Sequence, residues 1–177
     1  MKDTPNSART TSRRKKWTIW LRDALILLAI VLGINAWQSR NMLEDDGGVI
    51  IADQRLVSLQ GEVLYLLDAD KPDLIYFFAP WCQICALSIG NLAYLNSEKI
   101  NVVVVALDYG AKEEVQAFVD AHSVQARVLL GHNALKEAFS IQGYPSYYLI
   151  GDNNEVVSRS YGYSTALGLK LREAFGN

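Results

Sequence analysis

The sequence predicts an α/β domain, a central mixed sheet flanked by helices, preceded by one amino-terminal membrane-spanning helix. Three observations carry that expectation. The apolar run 74–78 is followed by side chains recurring at helical spacing and then by the β-branched run 102–107, an order that calls for parallel pairing across a helix. Two later strand segments, 147–150 and 156–161, flank Gly151, Asp152, Asn153 and Asn154, turn residues of a hairpin and hence of an antiparallel edge. Residues 17–37 have about the 20-residue length a helix needs to cross a bilayer core.

A chain of 177 residues holds one ordinary domain and an appendage. Half the residues are hydrophobic and 20% are charged, which excludes a disordered chain. The net charge of −2 conceals an uneven map: Lys2, Arg9, Arg13, Arg14, Lys15, Lys16 and Arg22 crowd the start. No basic field covers the rest, so nucleic acid is not an expected partner.

The elements follow in order. Residues 1–16 read as a basic cytoplasmic tail, and 17–37 as a signal anchor in the lipid bilayer. Arg22 and Asp23 interrupt its first third, Arg22 snorkelling to the headgroups, and Trp17, Trp20 and Trp37 stand where interfacial aromatics are favoured. Basic residues before the span and Glu44, Asp45 and Asp46 after it orient the amino terminus inward and export the remainder. A cleaved signal peptide is the competing reading, but residues 33–39 match the small-residue cleavage pattern poorly. Either way the exported part meets conditions where disulfides persist, the periplasmic side of a bacterial inner membrane.

Residues 38–55 read as a linker, polar and acidic over 41–48, and the domain is expected over 56–177. Strand 74–78 opens it, and Ala86, Ile89, Leu92, Ala93 and Leu95 mark the helix that follows. Strand 102–107, an amphipathic helix over 112–122, strand 127–130 and a short helix over 133–139 come next. The hairpin and a closing helix over 165–175 complete the domain.

The only cysteines, Cys82 and Cys85, sit between the first strand and the first helix. Disulfide exchange needs one thiolate to attack and a second thiol close enough to resolve the mixed disulfide, and this spacing at a helix start supplies both. Unpaired N–H groups and the positive end of the helix dipole lower the pKa of Cys82, making it the attacker, with Cys85 one turn later on the same face. Trp81 forms an apolar lip beside the sulfur and Pro80 fixes the turn. A zinc site would need two more ligands, and His122 and His132 lie far along the chain. Copper(I) accepts two thiolates, so a copper-handling module uses the same residues.

The segments Phe77-Phe78-Ala79-Pro80-Trp81-Cys82-Gln83-Ile84-Cys85, Val102-Val103-Val104-Val105-Ala106-Leu107-Asp108 and Gly143-Tyr144-Pro145-Ser146-Tyr147-Tyr148-Leu149-Ile150 together resemble the thioredoxin superfamily, and within it the membrane-anchored TlpA-like protein disulfide reductases. The likeness covers roughly residues 56–175. It implies a thioredoxin-like fold, a cis proline at Pro145 packed against the Cys82–Cys85 disulfide, and backbone hydrogen bonds from Tyr144 to a bound substrate. It also implies no cofactor beyond that redox-active disulfide. The implied partners are exported disulfide-containing proteins, among them apocytochrome c and copper-tolerance proteins, and a membrane electron donor.

Two departures bear on chemistry. Tyr76 stands where many thioredoxins have a buried acid, six residues before the first cysteine, and a tyrosine is a poor base near neutral pH. Glu62 and Asp108 are the candidate substitutes. Between the cysteines, Gln83-Ile84 lacks the proline of many reducing members, which leaves an oxidant or isomerase as the runner-up to a reductase.

Overall fold

The structure is a computed structural model that describes residues 9–39, 42–46, 48–67 and 70–175. Contacts divide the chain into two units, Met1–Gln38 and Ser39–Asn177. The first holds helix α1, Arg9–Ser39, except for its last residue, and with it the expected span. Its apolar side chains, Leu21, Leu25, Leu27 and Ile30 among them, are exposed, and Arg22 pairs with Asp23 at 3.0 Å. Among the described residues no helix is long and apolar enough to cross a membrane. Residues 1–8 of the expected basic tail lie outside the described residues.

The second unit is built on seven strands: β1 Arg55–Ser58, β2 Val63–Tyr65, β3 Asp73–Phe78, β4 Asn101–Ala106, β5 Arg127–Leu130, β6 Ser146–Ile150 and β7 Val156–Tyr161. Their order is β2-β1-β5-β4-β3-β6-β7. The centre, β5-β4-β3, is parallel, and every other pairing is antiparallel. Every residue of β3 and of β6 is buried, as expected where both faces of a sheet are covered. Helices α2, Gln83–Ser88, and α3, Lys112–Ala121, are successive crossovers in one direction, and right-handedness puts both on one face. Phe78 stacks on Phe118 of α3 at 4.7 Å there, and Tyr76 reaches Ser88 of α2. On the other face Phe77 packs at 4.9 Å against Phe139, the residue that ends α4, Asn133–Ala138. Helix α5, Ala166–Phe175, places Arg172 5.9 Å from the Tyr147 ring, and Tyr147 pairs with Tyr76 across β3 and β6.

Three local outcomes differ from the sequence reading. Hairpin β1–β2 has no counterpart in it, because strands of four and three residues are too short to display a period. The helix after the cysteines is α for only six residues and continues as a 3₁₀ helix over Ile89–Tyr94. Ser88 Oγ bonds back to Ile84 O at 3.0 Å, competing with the helix ladder where the geometry tightens. Third, the stretch expected as a linker is attached to the domain. Met42 is buried, Arg159 Nη1 donates to Met42 O at 2.5 Å and to Leu43 O, and Leu43 N–H donates to Tyr148 Oη at 3.3 Å. Val156 N–H donates to Val49 O and Ile51 N–H to Asn154 O, so this strap covers part of the β7 edge.

Candidate active site

The carboxyl ends of the parallel strands β3 and β4 and the amino end of antiparallel β6 meet at one edge of the sheet. Residues after β3 lead into Cys82, those after β4 into Asp108, and those before β6 contain Tyr144 and Pro145. Segments some 60 residues apart in sequence therefore surround one pair of sulfurs.

Cys82 is the N-cap of α2, extended at φ −82° and ψ 106°, and its Sγ accepts the Cys85 N–H at 3.1 Å. The sulfurs are joined in a disulfide, with Cα atoms 5.2 Å apart. Both cysteines are buried, Cys85 completely, while Cys82 keeps 7% of its surface exposed, so of the two only Cys82 has surface open to an incoming thiol or disulfide. A hydrogen bond donated to Cys82 Sγ stabilises its thiolate over its thiol.

Tyr76 lies directly behind the pair. Its hydroxyl donates to Cys85 O at 3.2 Å and shares a 3.0 Å hydrogen bond with Ser88 Oγ. Burial, then the neighbouring Tyr147, push its pKa far above the ordinary tyrosine range, so it is a neutral donor. Tyr147 and Tyr148 are also raised by burial, Tyr148 to about 12.

In front, Trp81 is 65% exposed, and its Nε1–H donates to the Asp108 carbonyl at 2.9 Å. Its ring meets Tyr144 edge-on with centroids 5.8 Å apart. The Tyr144–Pro145 peptide is cis. Asp108 adopts a left-handed backbone, φ 48°, a conformation Asp and Asn tolerate better than most residues. Its carboxylate pairs with Lys136 Nζ at 2.5 Å, and Lys136 lies 5.8 Å from the Tyr144 ring centroid. Burial pushes the Asp108 pKa up, but Lys136 and the facing Tyr144 hydroxyl outweigh it and hold the carboxyl below its usual range. Tyr144 Oη is buried without a partner of hydrogen-bonding geometry, and burial, then Asp108, raise the phenol.

The structure thus brings Trp81, Cys82, Cys85, Tyr144 and Pro145 together and treats the two candidate acids differently. Glu62 is exposed in the β1–β2 turn, at the far side of β5 and β4 from β3. Asp108 reaches the site, but as a carboxylate whose proton affinity is lowered, the wrong direction for a proton acceptor. Ser88 and Lys136 escaped the sequence reading: Ser88, one turn after Cys85, could have been found from helical spacing, whereas nothing in the local sequence of Lys136 points toward the cysteines. The histidines serve their own helices: His132 Nδ1 accepts Leu135 N–H at 3.2 Å, and His122 Nδ1 lies 2.8 Å from Phe118 O. Among the described residues no group of three or more His, Cys, Asp or Glu side chains is placed to hold a metal ion.

The Redoxin family model matches residues 46–172. The chain belongs to the redoxin family. A thioredoxin-like protein of Haemophilus influenzae is 30% identical over 125 residues, covering 68% of this chain and 73% of that protein. A protein disulfide-isomerase of Neurospora crassa, erp38, is 36% identical over 91 residues; these are 51% of this chain and only 20% of that much longer protein. Among solved structures, StoA from Bacillus subtilis superposes with a TM-score of 0.61 at 16% identity, covering 71% of this chain and 97% of StoA. At that identity the superposition shows the thioredoxin-like fold. Family membership and the paired Cys82 and Cys85 make this redoxin a thiol–disulfide oxidoreductase.

Proposed function

We propose that this redoxin is a membrane-anchored disulfide reductase of exported proteins, with Cys82 as nucleophile and Cys85 as resolving thiol. The observation that carries the assignment is the asymmetry of the pair: Cys82 keeps some exposed surface and its Sγ has an N–H donor, while Cys85 is fully enclosed. The Cys82 thiolate attacks a substrate disulfide, forming a mixed disulfide and expelling one substrate thiolate, which takes a proton from solvent. Cys85 then gives up its proton and attacks Cys82 Sγ, the second substrate thiolate leaves, and the pair ends as the disulfide. Two electrons pass to the substrate, so a two-electron donor at the membrane must restore the dithiol. Trp81, Tyr144 and the cis Pro145 form the surface on which the substrate segment lies.

Anchoring is supported by α1, whose described apolar side chains are exposed, and by the basic residues ahead of its apolar stretch. Residues 17–37 would cross a bacterial inner membrane with the amino terminus cytoplasmic and the catalytic domain periplasmic. Membrane fractionation with protease protection tests this part: a chain released by salt, or digested only from the cytoplasmic side, sinks it. The equilibrium reduction potential of Cys82–Cys85 tests the direction. A value near the roughly −270 mV of thioredoxin supports a reductase, and one near roughly −120 mV makes the protein a disulfide donor.

A further inference from the structure

Around the disulfide, formal charge is scarce. From Pro80 to Ser97 the chain carries no Asp, Glu, Lys or Arg, and neither does the stretch from Phe139 to Gly151. Helix α2, its 3₁₀ extension and the cis-proline loop therefore surround the sulfurs with neutral side chains. The titratable groups that face this region are the phenols of Tyr76, Tyr144 and Tyr147, all held protonated, Tyr163 and Glu173, which accept from Asn91 and from the Asn96 N–H at the 3₁₀ extension, and Arg172 beside the Tyr147 ring. At the rim itself stand two opposite charges, Asp108 and Lys136, in contact with each other.

Each member of that pair is tied to the residues flanking the sulfur. Asp108 holds the Trp81 indole through its carbonyl, and its carboxylate faces the Tyr144 hydroxyl. Lys136 lies against the Tyr144 ring, which in turn meets the Trp81 ring. A cation near a thiolate lowers the thiol pKa and an anion raises it, so two paired charges of opposite sign at similar range nearly cancel.

We propose that Asp108 and Lys136 form a charge-balanced clamp, a pair of positioning residues that sets the acidity of the Cys82 thiol, and with it the redox potential, while holding Trp81 against Tyr144. Asp108 is then neither a proton acceptor nor a bystander: it masks a lysine that would otherwise over-acidify the nucleophile. The inference rests on Cys82 being the reactive thiol, but not on the direction of electron flow.

The test is the pH dependence of Cys82 alkylation by iodoacetamide in the reduced full chain in mild detergent, with the labelled cysteine identified by mass spectrometry. Three variants are compared: Asp108→Asn, which suits the left-handed backbone and keeps the carbonyl that holds Trp81, Lys136→Met, which keeps the apolar stem, and the double variant. Unmasking the lysine lowers the Cys82 pKa by about half a unit or more, and unmasking the aspartate raises it by a similar amount. The double variant returns to within about 0.2 units of the parent, because its net charge at the rim is again zero. Shifts in the same direction for both single variants, shifts below about 0.2 units in both, or a double variant that fails to return would overturn the clamp. Lys136→Met alone keeps the test open where Asp108→Asn does not fold: a Cys82 pKa that stays within about 0.2 units of the parent, or falls, overturns the clamp. No protein substrate or electron donor enters the measurement, so an incorrect reductase assignment leaves it intact. Label on Cys85 would instead show that the assignment of the nucleophile had failed.

Discussion

Replacing Tyr76 by Phe removes one buried hydroxyl from behind the active-site helix and nothing else. That hydroxyl lies 3.2 Å from Cys85 O and 3.0 Å from Ser88 Oγ. Neither partner is orphaned by its loss. Cys85 O still accepts the Ile89 N–H, and Ser88 Oγ still donates to Ile84 O at 3.0 Å. The ring remains, with its edge-on contact to Tyr147 at 4.9 Å, so no cavity larger than one oxygen opens. The cost is therefore that of one net hydrogen bond, about 1 kcal/mol and well short of the roughly 3–5 kcal/mol for deleting a whole aromatic side chain. For a domain of this size that lowers Tm by about 3–5 °C. Urea unfolding of the oxidised protein checks this, the midpoint falling while the slope stays constant. Because burial keeps Tyr76 protonated far into alkali, the pH profile of Cys82 reactivity between pH 6 and 9 stays unchanged in the variant. A loss beyond about 3 kcal/mol, or a displaced pH profile, would refute the reasoning, since it would mean the hydroxyl is the sole partner of a buried group or takes part in proton transfer.

Three further outcomes follow from the same geometry. Cys85→Ser should accumulate a stable mixed disulfide with a model protein disulfide, visible by non-reducing electrophoresis, whereas Cys82→Ser should form none; trapping by the latter would reverse the assigned roles. Asp108 has a folded pKa below its unfolded value, so its pairing contributes stability at neutral pH that is lost as the pH falls through the folded value. Parent protein should accordingly lose slightly more stability than Asp108→Asn between pH 6 and pH 2, by less than about 1 kcal/mol because the pair is partly solvated. Arg159→Ala should release the strap at Met42 and Leu43, costing about 2 kcal/mol and accelerating amide exchange at Leu43; unchanged protection there would show that the strap is held by its other contacts.

The sequence by itself determined the α/β class, the parallel centre, the antiparallel hairpin and the location of the reactive dithiol. These are legible because their causes are local. A strand buried on both faces needs an unbroken apolar run, as in 74–78 and 102–107, and a hairpin needs turn residues such as those at 151–154. Two thiols one turn apart at a helix start are likewise chosen by neighbours in the chain. Tertiary structure decided the rest. Pairing across the sheet brings Tyr144, Lys136 and Asp108 to the sulfurs, and no periodicity along the chain records which loops will meet. The strap formed by residues 42–46 and 48–51 reads as a polar linker because its bonds run largely through backbone carbonyls and amides, which every residue carries alike. The same cause lies behind the opposite fates of Glu62 and Asp108, two acids of one chemistry: one turns into solvent at a hairpin, and the other is fixed beside a lysine 28 positions away.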